Sequence, residues 1–346
     1  RGKAFATSIG IHSDHSQPQT ICYRLSPMNF ITPIQIPPST IRIGYEHRTM
    51  ILGSCFAEAI GQRLSDLLFP VDLNPFGILY NPDSIAAAIR RLMDGHLFTA
   101  DELIQHHDLY HSLLHHGSFS APKADECLER INARLSAGAE FLAAADHIIV
   151  TFGTSYVYRW KGTGLVVGNC HKMPESYFHR SRLSVDEIAA TWLSLMDCIH
   201  RRRPTLKWIF TVSPVRHLRD GAHENNLSKS VLHLIIEKLI SLYPTIANYF
   251  PAYELMMDEL RDYRFYAEDM CHPSPVAIHY ISDRFESTYM DAKTHAWLRR
   301  AEALHRDLQH RPIHPDSEAH RRFLVQTKLK LKQLRAELPT PPTFAR

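Results

Sequence analysis

The stretch Thr49-Met50-Ile51-Leu52-Gly53-Ser54-Cys55-Phe56-Ala57-Glu58-Ala59-Ile60 decides the fold. A short apolar strand runs into Gly-Ser-Cys and then into a helical pattern through about Leu68, the first half of a βαβ unit. The pattern recurs along the chain. Ile148-Ile149-Val150-Thr151-Phe152 reads as a buried strand ending in Gly153-Thr154-Ser155, and Lys207 to Val212 as another ending in Ser213-Pro214-Val215-Arg216-His217. Asn248 to Tyr253 gives a further short strand. Helices are predicted over Pro82–Met93, Ala124–Leu142, Val185–Arg203 and Ser228–Leu242, and from Pro275 onward. The first of these takes Asn81 as its cap, with Pro82 at the first helical position. Strands alternating with helices predict a three-layer α/β/α fold with a mostly parallel sheet of about five strands. The polar clusters fall at the C-terminal ends of strands, where open α/β sheets place their sites.

Composition narrows the function classes. The chain has 346 residues, of which 45% are hydrophobic and 22% charged, so it can bury a core. Thirty-nine Lys and Arg against 36 Asp and Glu leave a net charge of +3, which gives no global electrostatic case for nucleic acid. Glycine is scarce, and Gly162-Thr-Gly164-Leu-Val-Val-Gly168 has the wrong spacing for a dinucleotide fingerprint. It reads as the turn of a hairpin between Tyr156–Trp160 and Leu165–Val167. The cysteines at 22, 55, 127, 170, 198 and 271 form no CxxC pair and suggest reduced thiols in a cytoplasmic protein. No apolar run reaches the ~18 residues of a membrane span, so no membrane contact is expected. His106, His107, His111, His115 and His116 fall at near-helical spacing, but without converging carboxylates they make no metal case. Neither a metal nor another cofactor is expected.

Texture also divides the chain. Residues 1–27 are polar and without period, and Met28 opens an extended, proline-broken segment, so 1–27 is expected to be an extension or a start-site artefact. A domain is expected over 28–290, followed by a helical tail over 291–346 whose last helix, Glu318–Leu338, carries a solvated basic face.

Three loops combine into a candidate site. Cys55 sits where a strand turns into a helix, and backbone N–H groups and the helix dipole there are expected to lower its thiol pKa. Gly153-Thr154-Ser155 ends the middle strand. Asp269-Met-Cys-His272 places a carboxylate three residues before an imidazole that it can orient toward a nucleophile. Arg216 and His217, and His171 with Lys172, have the chemistry to bind a carboxylate or phosphate on a substrate, or to pair with structural acids.

The string Gly53-Ser54-Cys55-Phe56-Ala57 resembles the signature of the GSCFA domain family, a bacterial family related to the SGNH/GDSL hydrolases. The likeness extends through Asn74-Pro75-Phe76-Gly77, Thr151 to Ser155, Asn169 to Lys172, Ser213 to His217 and Asp269 to Ser274, roughly Met28 to Phe285. It implies an SGNH or flavodoxin-like fold. It further implies an acyl hydrolase or acyltransferase acting on an O-linked acyl group of a small molecule or glycan. In that register Cys55 matches the nucleophile, with Ser54 as the alternative. Gly77 matches the glycine whose N–H enters the oxyanion hole, and Ser155 replaces the asparagine donor, a place Asn169 is also able to fill. Asp269 and His272 match the final dyad, with His272 as general base and acid. The alternative from another class is a non-catalytic binding module for an acylated sugar or peptide on the same fold.

Overall fold

The computed structural model describes residues 31–340, so the expectations for residues 1–27 and for Met28 lie outside the described residues. The segment from Pro33 onward forms one compact unit. Its centre is a sheet of five strands: β1 (Thr49–Gly53), β2 (Val71–Leu73), β5 (His147–Phe152), β9 (Lys207–Val212) and β10 (Ala247–Tyr249). They lie in the order β2-β1-β5-β9-β10, and every neighbouring pair is parallel. Chain order reverses between β1 and β5, the switch point at which such sheets open a crevice beyond their strand ends.

Side-chain alternation explains the two faces. Met50, Leu52, Ile148, Val150, Phe152, Trp208, Phe210 and Val212 point to one core. That core is closed by α2 (Pro82–Asp94), α3 (Ala124–Ala143), α4 (Val185–Arg202) and α5 (Gly221–Leu242). Ile51, Ile149 and Ile209, one residue out of step, point to the other. That second core is closed by α1 (Cys55–Asp66), α7 (Pro275–Tyr289), α8 (Ala292–Gln309) and α9 (Glu318–Glu337). A single turn, α6 (Ala252–Glu254), runs on into a π-helical turn at Leu255–Glu259. Both β1 and β5 are buried along their whole length, as strands covered on two faces must be.

The C-terminal helices pack on this body. Leu298, Ala301, Leu304 and Leu334 join the second core. Arg63 of α1 reaches Glu286 of α7 at 2.9 Å and Glu302 of α8 at 2.8 Å, an interlocked charge cluster across three helices. The region after Asp291 is not wholly helical, as its sequence suggested: the helix breaks over 310–317, where Pro312 and Pro315 cannot continue it.

Two small antiparallel sheets flank the main one. The predicted hairpin forms as β6 (Tyr156–Trp160) and β7 (Val166–Val167), with Tyr158 opposite Val167, and β8 (Phe178–Arg182) extends it on the other edge. The histidine-rich segment, whose histidines fall at near-helical spacing, is not helical. It makes a second hairpin, β3 (Leu103–His106) and β4 (Leu109–Ser112), because the left-handed backbone at His107 closes a tight turn. No helix among the described residues is long and apolar enough to cross a membrane.

Candidate functional site

Two loops at the switch point bring the predicted nucleophile and base to one cleft of about 400 Å³, lined by Cys55, Tyr80, Thr154, Asn169, Arg216, His217 and His272, among others. Cys55 is the first residue of α1 and is half-buried. The turn that holds it is braced from several sides. Gly53 N–H donates to the Asn74 carboxamide at 2.9 Å, and Asn74 in turn donates to Glu58 of α1 at 2.6 Å. Gly53 has φ near +146°, and a Cβ there would stand 2.4 Å from the Thr151 carbonyl oxygen, so only glycine allows β1 and β5 to approach at the site. The Tyr80 carbonyl accepts from the N–H groups of Gly153 and Thr154 at 2.8 and 3.0 Å, tying the loop after β2 to the end of β5.

Ser54 is fully buried and caps α1, its hydroxyl accepting the Phe56 N–H at 3.3 Å. It holds the helix start and does not line the cleft.

The thiol does not titrate as the helix terminus alone suggested. Burial raises the Cys55 pKa above its ordinary value, and the Asp269 charge acts in the same direction. The N–H groups of Phe56 and Cys55 and the Lys229 ammonium pull the other way without overcoming it. The sulfur therefore rests as a thiol at neutral pH and needs a base.

Asp269 and His272 sit on a loop before α7, and both side chains are about half-exposed (51% and 48%). Asp269 accepts from the Cys271 and His272 N–H groups at 3.0 and 2.9 Å, and its second oxygen lies 2.5 Å from His272 Nδ1. Those backbone donors, with the imidazole behind them, hold the carboxyl down at about 2. A left-handed residue, Met270, makes this tight return possible, and the N–H of Ala267 donates to the His272 carbonyl at 2.8 Å. With Nδ1 committed to Asp269, the ring has Nε2 left for the cleft.

Other predicted residues divide between cleft and scaffold. Asn169 lines the cleft; its carboxamide oxygen accepts the His171 N–H at 2.8 Å, which leaves the amide NH₂ for a ligand. Gly77 does not offer its N–H: that group donates to the Asn74 carbonyl at 2.7 Å, and the residue, at φ near +76°, packs where a Cβ would collide with His116. Ser155 is fully buried and bonds through both its N–H and its hydroxyl to Ser228, so Thr154 and not Ser155 faces the cleft. His171 is turned away, its ring 2.8 Å from the Ser112 carbonyl and stacked on His111, and burial lowers its pKa to about 4. His217 lines the cleft edge-on to Tyr80; burial, then the charges of Lys229 and His272, lower its pKa to about 4, which keeps it neutral.

One residue escaped the sequence reading. Lys229 of α5 is 2% exposed, and its ammonium donates to the carbonyls of Gly153 at 2.6 Å and Ser213 at 2.7 Å, the two residues just past β5 and β9. Burial draws its pKa down to about 7, partly offset by Cys55 and reinforced by Arg216. Its signal was available: Lys229 shares a helical stripe with Asn225, Ser228, Leu232, Ile236 and Leu239, all buried, and a lysine on such a stripe has a partner inside.

No grouping of three or more His, Cys, Asp or Glu side chains that could hold a metal ion occurs among the described residues.

Among solved structures, the chain is similar to a protein described as a platelet activating factor from Streptococcus pneumonia. The identity is 11%, the likeness covers 72% of this chain and 85% of that one, and the TM-score is 0.34. It is similar to an acetyl xylan esterase from the rumen bacterium Butyrivibrio proteoclasticus at 12% identity, over 70% of this chain and 63% of that one, again with a TM-score of 0.34. No curated protein matches the chain. A model described as the C-terminal domain of GSCFA domain proteins matches residues 301–341, across the end of α8 and α9. The model of the GSCFA family itself matches residues 48–285, which include Cys55, Asp269 and His272 and make up more than half of the sequence, and the chain belongs to that family.

Proposed function

We propose that the cleft is the active site of an acyl hydrolase or acyltransferase that acts on an O-linked acyl group through Cys55. The observation that carries this is the meeting of Cys55 and the Asp269-braced His272 in one cleft. His272 takes the proton from the Cys55 thiol as the sulfur bonds to the acyl carbon. The carbon–oxygen bond to the alcohol then breaks, and the alcohol leaves with the proton that His272 carries. The resulting thioester is attacked by water or by an acceptor hydroxyl, whose proton passes to the same imidazole, and Cys55 is restored as a thiol. Negative charge on the acyl oxygen is stabilised by the N-terminus of α1 and by the Asn169 amide. The raised thiol pKa fits this order of events, because the proton moves only when the imidazole is in place.

Turnover of a panel of acyl esters and thioesters by Cys55→Ala and His272→Ala tests the mechanism. Each variant is expected to lose activity by roughly 10²-fold or more, and unchanged rates in both would remove it. An electrophilic acyl probe followed by peptide mapping should mark Cys55. A second reading, a cleft that binds an acylated ligand without turnover, is favoured by one fact: among the described residues Cys55 and His272 line the same cleft without a hydrogen bond between them. Probe labelling that is absent at Cys55 while the acylated ligand still binds would establish that reading in its place.

A further inference from the structure

We infer that Arg216 is an anchor for an oxyanion, a carboxylate or phosphate carried by the alcohol part of the substrate. The cationic side chains around the site differ in one respect. Arg180 lines the cleft and shares with Arg216 a buried, unpartnered Nε, but its two terminal nitrogens are spent on Asp220, each 2.5 Å from one carboxylate oxygen. Arg219 lines it too and is paired with Glu175 and the Tyr158 hydroxyl. Lys229 is held by two carbonyls. Arg216 has neither an acid nor a carbonyl on its guanidinium among the described residues, and its Nε is shut off from solvent without a partner. A buried guanidinium N–H left unpaired is costly, and the fork of an arginine fits carboxylate and phosphate oxygens in pairs.

The place of Arg216 says which part of the substrate it meets. It lines the cleft and also a second cavity of about 790 Å³ beside it. Its own N–H lies 3.5 Å from the Cys271 carbonyl, so it stands next to the dyad loop. In the second cavity the acids Asp258 and Asp262 are each within 4 Å of another arginine, Arg261 at 3.6 Å and Arg264 at 3.7 Å. The Tyr266 hydroxyl there donates only to the Met257 sulfur at 3.8 Å and is able to turn to a ligand. An ester whose acyl end meets Cys55 would send its alcohol past Arg216 into this cavity, which is large enough for a sugar-sized group. An anion there would also offset the repulsion between Arg216 and the buried Lys229.

The assignment to a substrate rests on the acyl chemistry proposed above, whereas the anion site itself does not, and the test separates the two. The full chain is titrated by calorimetry with inorganic phosphate and with acetate, as wild type, Arg216→Gln and Arg216→Lys. Wild type is expected to bind at least one of the two, and Arg216→Gln to bind it about tenfold more weakly. Arg216→Lys, which keeps the charge but loses the fork, should fall between them, and serves if the glutamine variant does not fold. Whichever anion binds more tightly assigns the group on the substrate. Binding of neither anion by the wild type, or equal binding by wild type and both variants, overturns the inference. Anion binding that depends on Arg216 in a chain that turns over no ester leaves the site standing and removes the acyl chemistry. Turnover with no such dependence does the reverse.

Discussion

The two sides of the cleft are built in opposite ways. Cys55 stands on the rigid side, half-buried at the end of a fully buried strand, in a turn fixed by Asn74, Gly53 and Tyr80. Asp269 and His272 stand on an exposed loop whose order comes from its own hydrogen bonds. Burial on one side holds a proton on sulfur, and hydrogen bonding on the other strips a proton from a carboxyl. At rest the negative charge therefore lies on Asp269 and not on the sulfur. In the mechanism proposed above, the sulfur gains its charge only as the imidazole accepts the proton, which suits a rigid attacking atom served by an adjustable base.

The largest effect is expected from Asp269→Asn. The amide oxygen can still accept the Cys271 and His272 N–H groups, so the loop should keep its shape while losing its negative charge. Turnover is expected to fall by about 10²–10⁴-fold with little change in thermal stability. A loss of less than about threefold would mean that the carboxylate does not serve the imidazole.

A smaller effect probes the floor beneath the cleft. Free lysine titrates near ~10.4, and Lys229 in the folded chain at about 7. Between these values the unfolded chain holds the proton that the folded chain has lost, so stability rises with pH above about 7. Cys55, whose pKa is raised, works in the opposite direction once its own range is reached at higher pH. Urea unfolding at pH 7.0 and at pH ~8.5 should therefore show greater stability at the higher value, and Lys229→Met should flatten that slope. A slope unchanged by the substitution would show that Lys229 keeps its ordinary pKa.

The smallest expected effect sharpens the electrostatics of the sulfur. Alkylation of Cys55 by iodoacetamide should have a pH midpoint above that of a free thiol, since burial raises it. Lys229→Met should leave that midpoint nearly unchanged, because an ammonium that titrates at about 7 has already lost its proton in the range where the thiol ionises. A midpoint at or below the free value would reverse the assignment of the resting proton.

Much of this was legible in the sequence, for a common reason. Apolar runs followed by small polar residues fixed β1, β5 and β9 with the clusters at their ends, because a strand covered on both faces leaves an unbroken hydrophobic signal. Asp269 and His272 were legible because their contact is local, three residues apart. Residues read through long-range geometry were not. Whether Thr154 or Ser155 meets the cleft depends on where the chain leaves β5, and Ser228, from a helix more than seventy residues away, settles it. Gly77 looks free in sequence, yet Asn74 takes its N–H. Likewise the histidines of β3 and β4 matched a helical spacing, and only the left-handed residue between them reveals the hairpin. Lys229 was hidden because a lysine ordinarily faces solvent, although Leu232, Ile236 and Leu239 on its stripe point inward.

The glycine at the end of β1 has a consequence for how the family varies. A library randomised at codon 53 and sorted for folded product should return glycine almost alone, since any larger residue meets a backbone oxygen that cannot step aside. Two codons later the constraint is chemical and not steric, because Cys55 begins a helix that a serine could begin as well. Drift in such lineages would thus exchange the side chain at 55 more readily than the bend that presents it.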